Sequence, residues 1–171
     1  MPRSPGPAPS LRTAAWLLAL LVAACSSSSG PKPQSATFPP GERVARSGVV
    51  TAELAKAHYD LRRVSVTVSL TNHGQAPVRL DREGILLAYH ELEFPVQQGA
   101  GAPVEASTIV PPGGTVQLEL GFGTEQLMVE AGRLQLLSLR AGDAWLAPLQ
   151  LTVPPPAAFV EAAAEPNEDE E

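Results

Sequence analysis

In Val64-Ser65-Val66-Thr67-Val68-Ser69-Leu70-Thr71 every even position is apolar and every odd one carries a hydroxyl. A period of two sends alternate side chains to opposite faces, so the stretch reads as a half-buried strand. Val64, Val66, Val68 and Leu70 face a core, and a slip of one residue would put all four in water. Asn72-His73-Gly74-Gln75-Ala76-Pro77 ends the strand: asparagine and glycine tolerate positive φ, and proline offers no ladder donor. A short strand over 78–80 follows this turn. Similar segments recur about every ten residues, at 49–57, 85–94, 104–109, 116–122, 134–139 and 144–153. Pro111-Pro112-Gly113-Gly114 makes a tight turn ahead of 116–122, and Ala141-Gly142-Asp143 makes a hairpin-like connection. Helical spacing competes only over 53–59. Seven or eight short strands at this spacing predict an all-β fold, a single antiparallel β-sandwich over 43–153.

The chain begins differently. Arg3 and Arg12 precede eleven apolar residues, 14–24, and the small residues Ala23 and Ala24 stand before Cys25, the single cysteine. A spanning helix needs about 20 apolar residues, so this run is too short to cross a bilayer and reads as a signal peptide over 1–24. An ordinary secretory peptide would leave Cys25 as an odd free thiol in an exported protein; a modified cysteine accounts better for the count. Val22-Ala23-Ala24-Cys25 resembles the lipobox of bacterial lipoproteins at every position. That resemblance implies a thioether-linked diacylglycerol on Cys25, further acylation, and attachment to the cell envelope. Two or more acyl chains, at about 0.8 kcal/mol per buried CH₂, hold a protein stably where one short chain does not. Ser26 resembles the outer-membrane address of enterobacterial lipoproteins rather than inner-membrane retention.

Residues 25–42, rich in serine, glycine and proline, read as a tether. At the other end, Pro154-Pro155-Pro156 opens a segment over 154–171 that packs Glu161, Glu165, Glu168, Asp169, Glu170 and Glu171 into a self-repelling acidic tail. That tail accounts for a charge equal to the net −6 of the whole chain. The central domain is nearly balanced, nine Lys and Arg against eleven Asp and Glu, and so carries no electrostatic footprint for nucleic acid. Without a cysteine in the domain, stability must come from packing. About 110 residues suffice for one core.

The strand, Asn-x-Gly turn and Pro-Val strand over 68–78 resembles a unit of immunoglobulin-like sandwiches found in bacterial surface lipoproteins. The turn at 111–114 leading to Phe122 is similar to one in telokin-like domains. The Cys, Trp, Cys spacing of antibody domains is absent, and Trp145 falls in the last expected strand.

Chemical motifs are sparse. His90-Glu91-Leu92-Glu93-Phe94 starts like a zinc-protease helix but has Phe94 where the second histidine ligand belongs. Nucleophile-elbow, Walker and dinucleotide motifs are all missing. His58, His73, His90 and Met128 are weighed as copper ligands because imidazole and thioether suit that metal, although none lies near another in sequence. If 85–94 alternates as one strand, His90 shares a face with Leu86, Ala88, Leu92 and Phe94 and is partly buried. Tyr59 and Tyr89 invite a binding-surface reading beside a packing one, with the Tyr89 hydroxyl at the core edge in water. The expectation is therefore a non-enzymatic, lipid-anchored Ig-like module, without cofactor, that binds a protein partner or supports envelope assembly. The alternative is a periplasmic ligand or copper carrier.

Overall fold

The computed structural model describes residues 32–97, 105–124 and 126–157. All lie within Pro31–Glu171, one of the two units into which the chain divides. The lipobox with Cys25 and the acidic residues beyond Ala157 lie outside the described residues.

Thirteen strands account for most of the described chain: β1 (Gln34–Thr37), β2 (Val44–Ser47), β3 (Val50–Asp60), β4 (Arg63–Asn72), β5 (Val78–Asp81), β6 (Ile85–Tyr89), β7 (Leu92–Gln97), β8 (Ser107–Val110), β9 (Thr115–Gly123), β10 (Gly132–Leu136), β11 (Leu139–Ala141), β12 (Ala144–Trp145) and β13 (Leu149–Val153). Every pairing is antiparallel. The larger sheet runs β1-β3-β4-β9-β7-β6-β10-β13, with β2 also paired to β3; the smaller runs β12-β11-β5-β8. The all-β expectation holds, but the strand count exceeds seven or eight. Three segments that read as single strands, 85–94, 134–139 and 144–153, each divide into two.

The large sheet curls. β7 changes partners along its length, pairing Leu92–Pro95 with β6 and Val96 and Gln97 with β9. At the far side β13 returns against β2 and β3. Two hydrogen bonds fasten that approach: Ser47 Oγ donates to the Ala147 carbonyl at 2.6 Å, and the Tyr59 hydroxyl donates to the Pro154 carbonyl. The result is a half-barrel whose inside is the core.

β4 behaves as its alternation demands. Val64, Val66, Val68 and Leu70 are at most 2% exposed, and full burial of each contributes about 1.5–3 kcal/mol. On the outside Thr71 and Thr115 pair their hydroxyls at 2.9 Å. β3 explains the rival helical spacing over 53–59. Its register against β4 shifts between Leu54 and Lys56, a bulge that changes which parity points inward. Val50, Ala52 and Leu54 are buried before it, Ala57 and Tyr59 after it. The i to i+3 step from Leu54 to Ala57 mimics one helical turn.

Asn72, fully buried at the end of β4, ties the sheets together. Its Nδ2, sharing two hydrogens among three acceptors, lies 2.8, 3.2 and 3.3 Å from the carbonyls of Ala76, Val110 and Pro111, while Oδ1 accepts from the Gly74 N–H at 2.8 Å. Pairing begins ahead of the expected start at Arg43: β1 lies along β3 within the stretch that reads as tether, and Phe38 packs on the core. β1 was missed because Gln34-Ser35-Ala36-Thr37 has almost no bulk to signal burial. At the other end Pro156 is buried, so the proline run begins packed on the domain.

Candidate binding face on the four-stranded sheet

The small sheet alternates sharply. Val78, Leu80, Val110 and Leu139 are at most 1% exposed and bind it to the core. Arg79, Arg140 and Ile109, each adjacent in sequence to one of these buried residues, turn outward, and register aligns them with Trp145 of β12 into one row: Trp145 beside Arg140, Arg140 beside Arg79, Arg79 beside Ile109. Trp145 is 61% and Ile109 62% exposed. The Arg140 guanidinium carbon lies 3.8 Å from the Trp145 ring centroid, a cation–π contact that holds the indole in place. Arg79 Nε donates to Asp81 Oδ1 at 2.6 Å, which fixes the second guanidinium.

Beside the row a hollow of about 980 Å³ opens, lined by Arg79, Arg82, Arg140, Asp81, Glu83 and Glu105 among others. Its charges are of both signs, so it suits a polar or mixed-charge ligand surface better than a polyanion. Arg82 reaches across it to the Val96 carbonyl at 3.3 Å. Gly84 packs tightly on Ser138, one of the lining residues: a Cβ there would stand 2.5 Å from Ser138 N and Cβ. That close approach lets the Leu137 N–H donate to the Gly84 carbonyl at 2.7 Å and carries the chain from β10 into β11.

A solvent-facing tryptophan clamped by arginine, flanked by a second arginine and a branched aliphatic, has the composition of interface hot spots, where Trp and Arg are enriched. Its position on paired strands keeps it rigid. Sequence reasoning missed this row, although the signal was present. Once Gly142-Asp143 is read as a two-residue hairpin loop, Arg140 and Trp145 must pair across it. Gly142, at φ 58°, supplies the positive dihedral such a loop requires.

The residues weighed as metal ligands are not brought together. His58 Nδ1 lies 2.7 Å from Ser35 Oγ, and His73 Nε2 lies 3.0 Å from Thr51 Oγ1. Both therefore sit along β3, roughly 20 Å apart at about 3.3 Å per residue. Met128 is 2% exposed and fills core space against Gly132. Among the described residues no group of three or more His, Cys, Asp or Glu is placed to hold a metal ion.

His90 does not share a strand face with Leu86 and Leu92. It sits at the tip of the β6–β7 hairpin with φ 53°, its side chain about half exposed. A His-Glu pair gave no glycine or asparagine signal for a turn, yet histidine tolerates this dihedral better than branched residues do. Its ring tilts on that of Tyr89 at 4.2 Å. Tyr89 is buried, not at a wet edge: its hydroxyl accepts from the Val129 N–H at 3.0 Å and donates to the Leu127 carbonyl at 3.4 Å. Tyr59 is likewise interior, and burial pushes its pKa up to about 12, with the charge of Arg43 opposing. Both tyrosines anchor loops. Among the described residues no helix is long and apolar enough to cross a membrane.

No family model matches the chain, and no curated protein matches it. Among solved structures it is similar to the yjhA protein from Bacillus subtilis, at 14% identity over 56% of this chain and 77% of that one, with a TM-score of 0.44. It is also similar to ycdA, a candidate lipoprotein of Bacillus subtilis, at 12% identity over 70% of this chain and 41% of that one, with a TM-score of 0.48.

Proposed function

We propose that this chain is a cell-envelope lipoprotein, held by acylated Cys25, whose β-domain is a non-catalytic docking module. A protein partner seats on the Trp145–Arg140–Arg79–Ile109 row. The observation that carries this reading is the exposed indole locked by Arg140 on a rigid sheet. A free rotamer would lose entropy on binding, about 0.5–1.5 kcal/mol per ordered side chain; a clamped one has already lost most of it. The lipid attachment is supported by the lipobox and by the small residues before Cys25. Its Ig-like element rests on the buried Asn72 turn and the Pro-Gly turn at 111–114.

The test compares full-length protein extracted in mild detergent from its host as wild type and as Trp145→Ala. A specific co-purifying protein should be present with the former and reduced at least tenfold with the latter. Identical sets of co-purifying proteins would refute the assignment of the face. Intact-mass analysis of the same wild-type sample should show acyl groups on Cys25; an unmodified N-terminus would refute the anchor.

A further inference from the structure

Strand directions divide the domain into two poles. β1 is antiparallel to β3 with Gln34 opposite Tyr59, so the chain enters at the end where β3 finishes. β13 leaves at that same end, where the Pro154 carbonyl accepts from Tyr59. The β3–β4 hairpin at Leu61 and Arg62, the β6–β7 hairpin at His90 and Glu91, and the loop that carries Met128 gather there too. The opposite pole holds the turns at Gly48–Val49, 73–77 and 111–114. Trp145's hairpin belongs with that second group: the Gly142 N–H donates to the Pro77 carbonyl, and Leu146 Cδ2 packs 3.2 Å from where a Gly48 Cβ would stand.

We infer that the first pole rests on the bilayer to which Cys25 is attached, with Leu61 and Leu92 as its contact points, and that the Trp145 face is thereby held away from the lipid. This rests on the anchored reading proposed above. Nine peptide steps separate Cys25 from Gln34. Fully extended they reach about 30 Å. β3 has eleven residues and so rises about 33 Å from one pole to the other. Only a fully stretched tether would approach the length needed to bring the far pole to the membrane, whereas the near pole lies well within its reach.

The near pole also has the surface for this contact. Leu61 is 46% and Leu92 50% exposed, each at a hairpin where the body of the domain does not cover it. Exposed Arg62 stands beside Leu61 with a guanidinium suited to lipid phosphate. Asp60, Glu91 and Glu130 share the pole, so the surface is of mixed charge and fits a zwitterionic headgroup layer rather than requiring an anionic one.

The experiment uses the acylated full-length protein in phosphatidylcholine vesicles containing headgroup-nitroxide lipid. Because acylation consumes Cys25, an introduced cysteine is the only site for an environment-sensitive fluorophore. Leu61→Cys and Leu92→Cys should show at least threefold stronger nitroxide quenching than Asp143→Cys at the far hairpin. Equal quenching at all three positions, or stronger quenching at 143, would overturn the orientation. Vesicle flotation of the same samples separates the two ideas: protein that floats but shows no difference refutes the orientation alone, whereas protein that fails to float refutes the anchor and the orientation with it.

Discussion

Asn72→Ala should be among the most damaging single substitutions in the domain. The side chain has no solvent exposure and serves the Ala76, Val110 and Pro111 carbonyls and the Gly74 N–H. Alanine replaces none of these contacts. Each hydrogen bond contributes about 0.5–1.5 kcal/mol net, and a buried polar group left without its partner costs about 1–3 kcal/mol. Water can reach the partly buried Ala76 and Gly74 groups but reaches the Val110 carbonyl poorly, so the expected loss is about 3–5 kcal/mol. Against a total stability of about 5–15 kcal/mol this is severe. With a urea m-value of about 1–3 kcal/mol/M, the midpoint should fall by about 2 M at unchanged slope. The assay is urea unfolding of the acyl-free chain beginning at Ser26, followed by far-ultraviolet circular dichroism. Ser69→Ala, on the outward face of the same strand, serves as the control and should stay within about 0.5 kcal/mol. A loss below about 1 kcal/mol for Asn72→Ala, with cooperative unfolding retained, would refute the view that this side chain joins the two sheets.

Tyr59 gives a pH signature. Its folded pKa of about 12 lies above the ordinary value of 10.0, so its contribution is complete below pH 10 and is lost as pH rises toward 12; urea midpoints should fall across that window, and Tyr59→Phe should flatten the fall. Gly84→Ala places a methyl 2.5 Å from Ser138 backbone and should cost about 1–3 kcal/mol, read as a lower thermal midpoint, whereas an unchanged midpoint would show that the β10–β11 connection yields freely. Trp145→Ala should change stability by less than about 1 kcal/mol, since it loses one exposed cation–π contact, while weakening partner binding by about 2 kcal/mol or more. A large stability loss in that variant would mark the indole as structural.

The legible parts of the fold were those in which one pattern governs a whole element. β4 alternates without exception, and its four buried residues fall where the period of two places them. β3 was harder to read because its bulge between Leu54 and Lys56 changes parity in mid-strand, and no glycine or proline marks the place. The β6–β7 hairpin was hidden for a different reason: Ile85 through Phe94 keeps enough apolar residues to read as continuous, and the turn falls on His90 and Glu91. The binding row was the least legible. Its members come from four strands that are adjacent only after folding, and just one link, Arg140 to Trp145, is set locally by a hairpin. His58, His73 and Met128 show the converse, residue types suited to one chemistry that the topology keeps apart.

The most direct test places a photo-crosslinking amino acid at position 145 in the full-length protein, in its own cells, with position 117 on the outer face of the large sheet as the comparison. The account predicts a discrete crosslinked protein from 145 and none, or a different pattern, from 117. The same product from both positions, or none from 145 while the protein remains folded and membrane-bound, would contradict recognition through the Trp145 face.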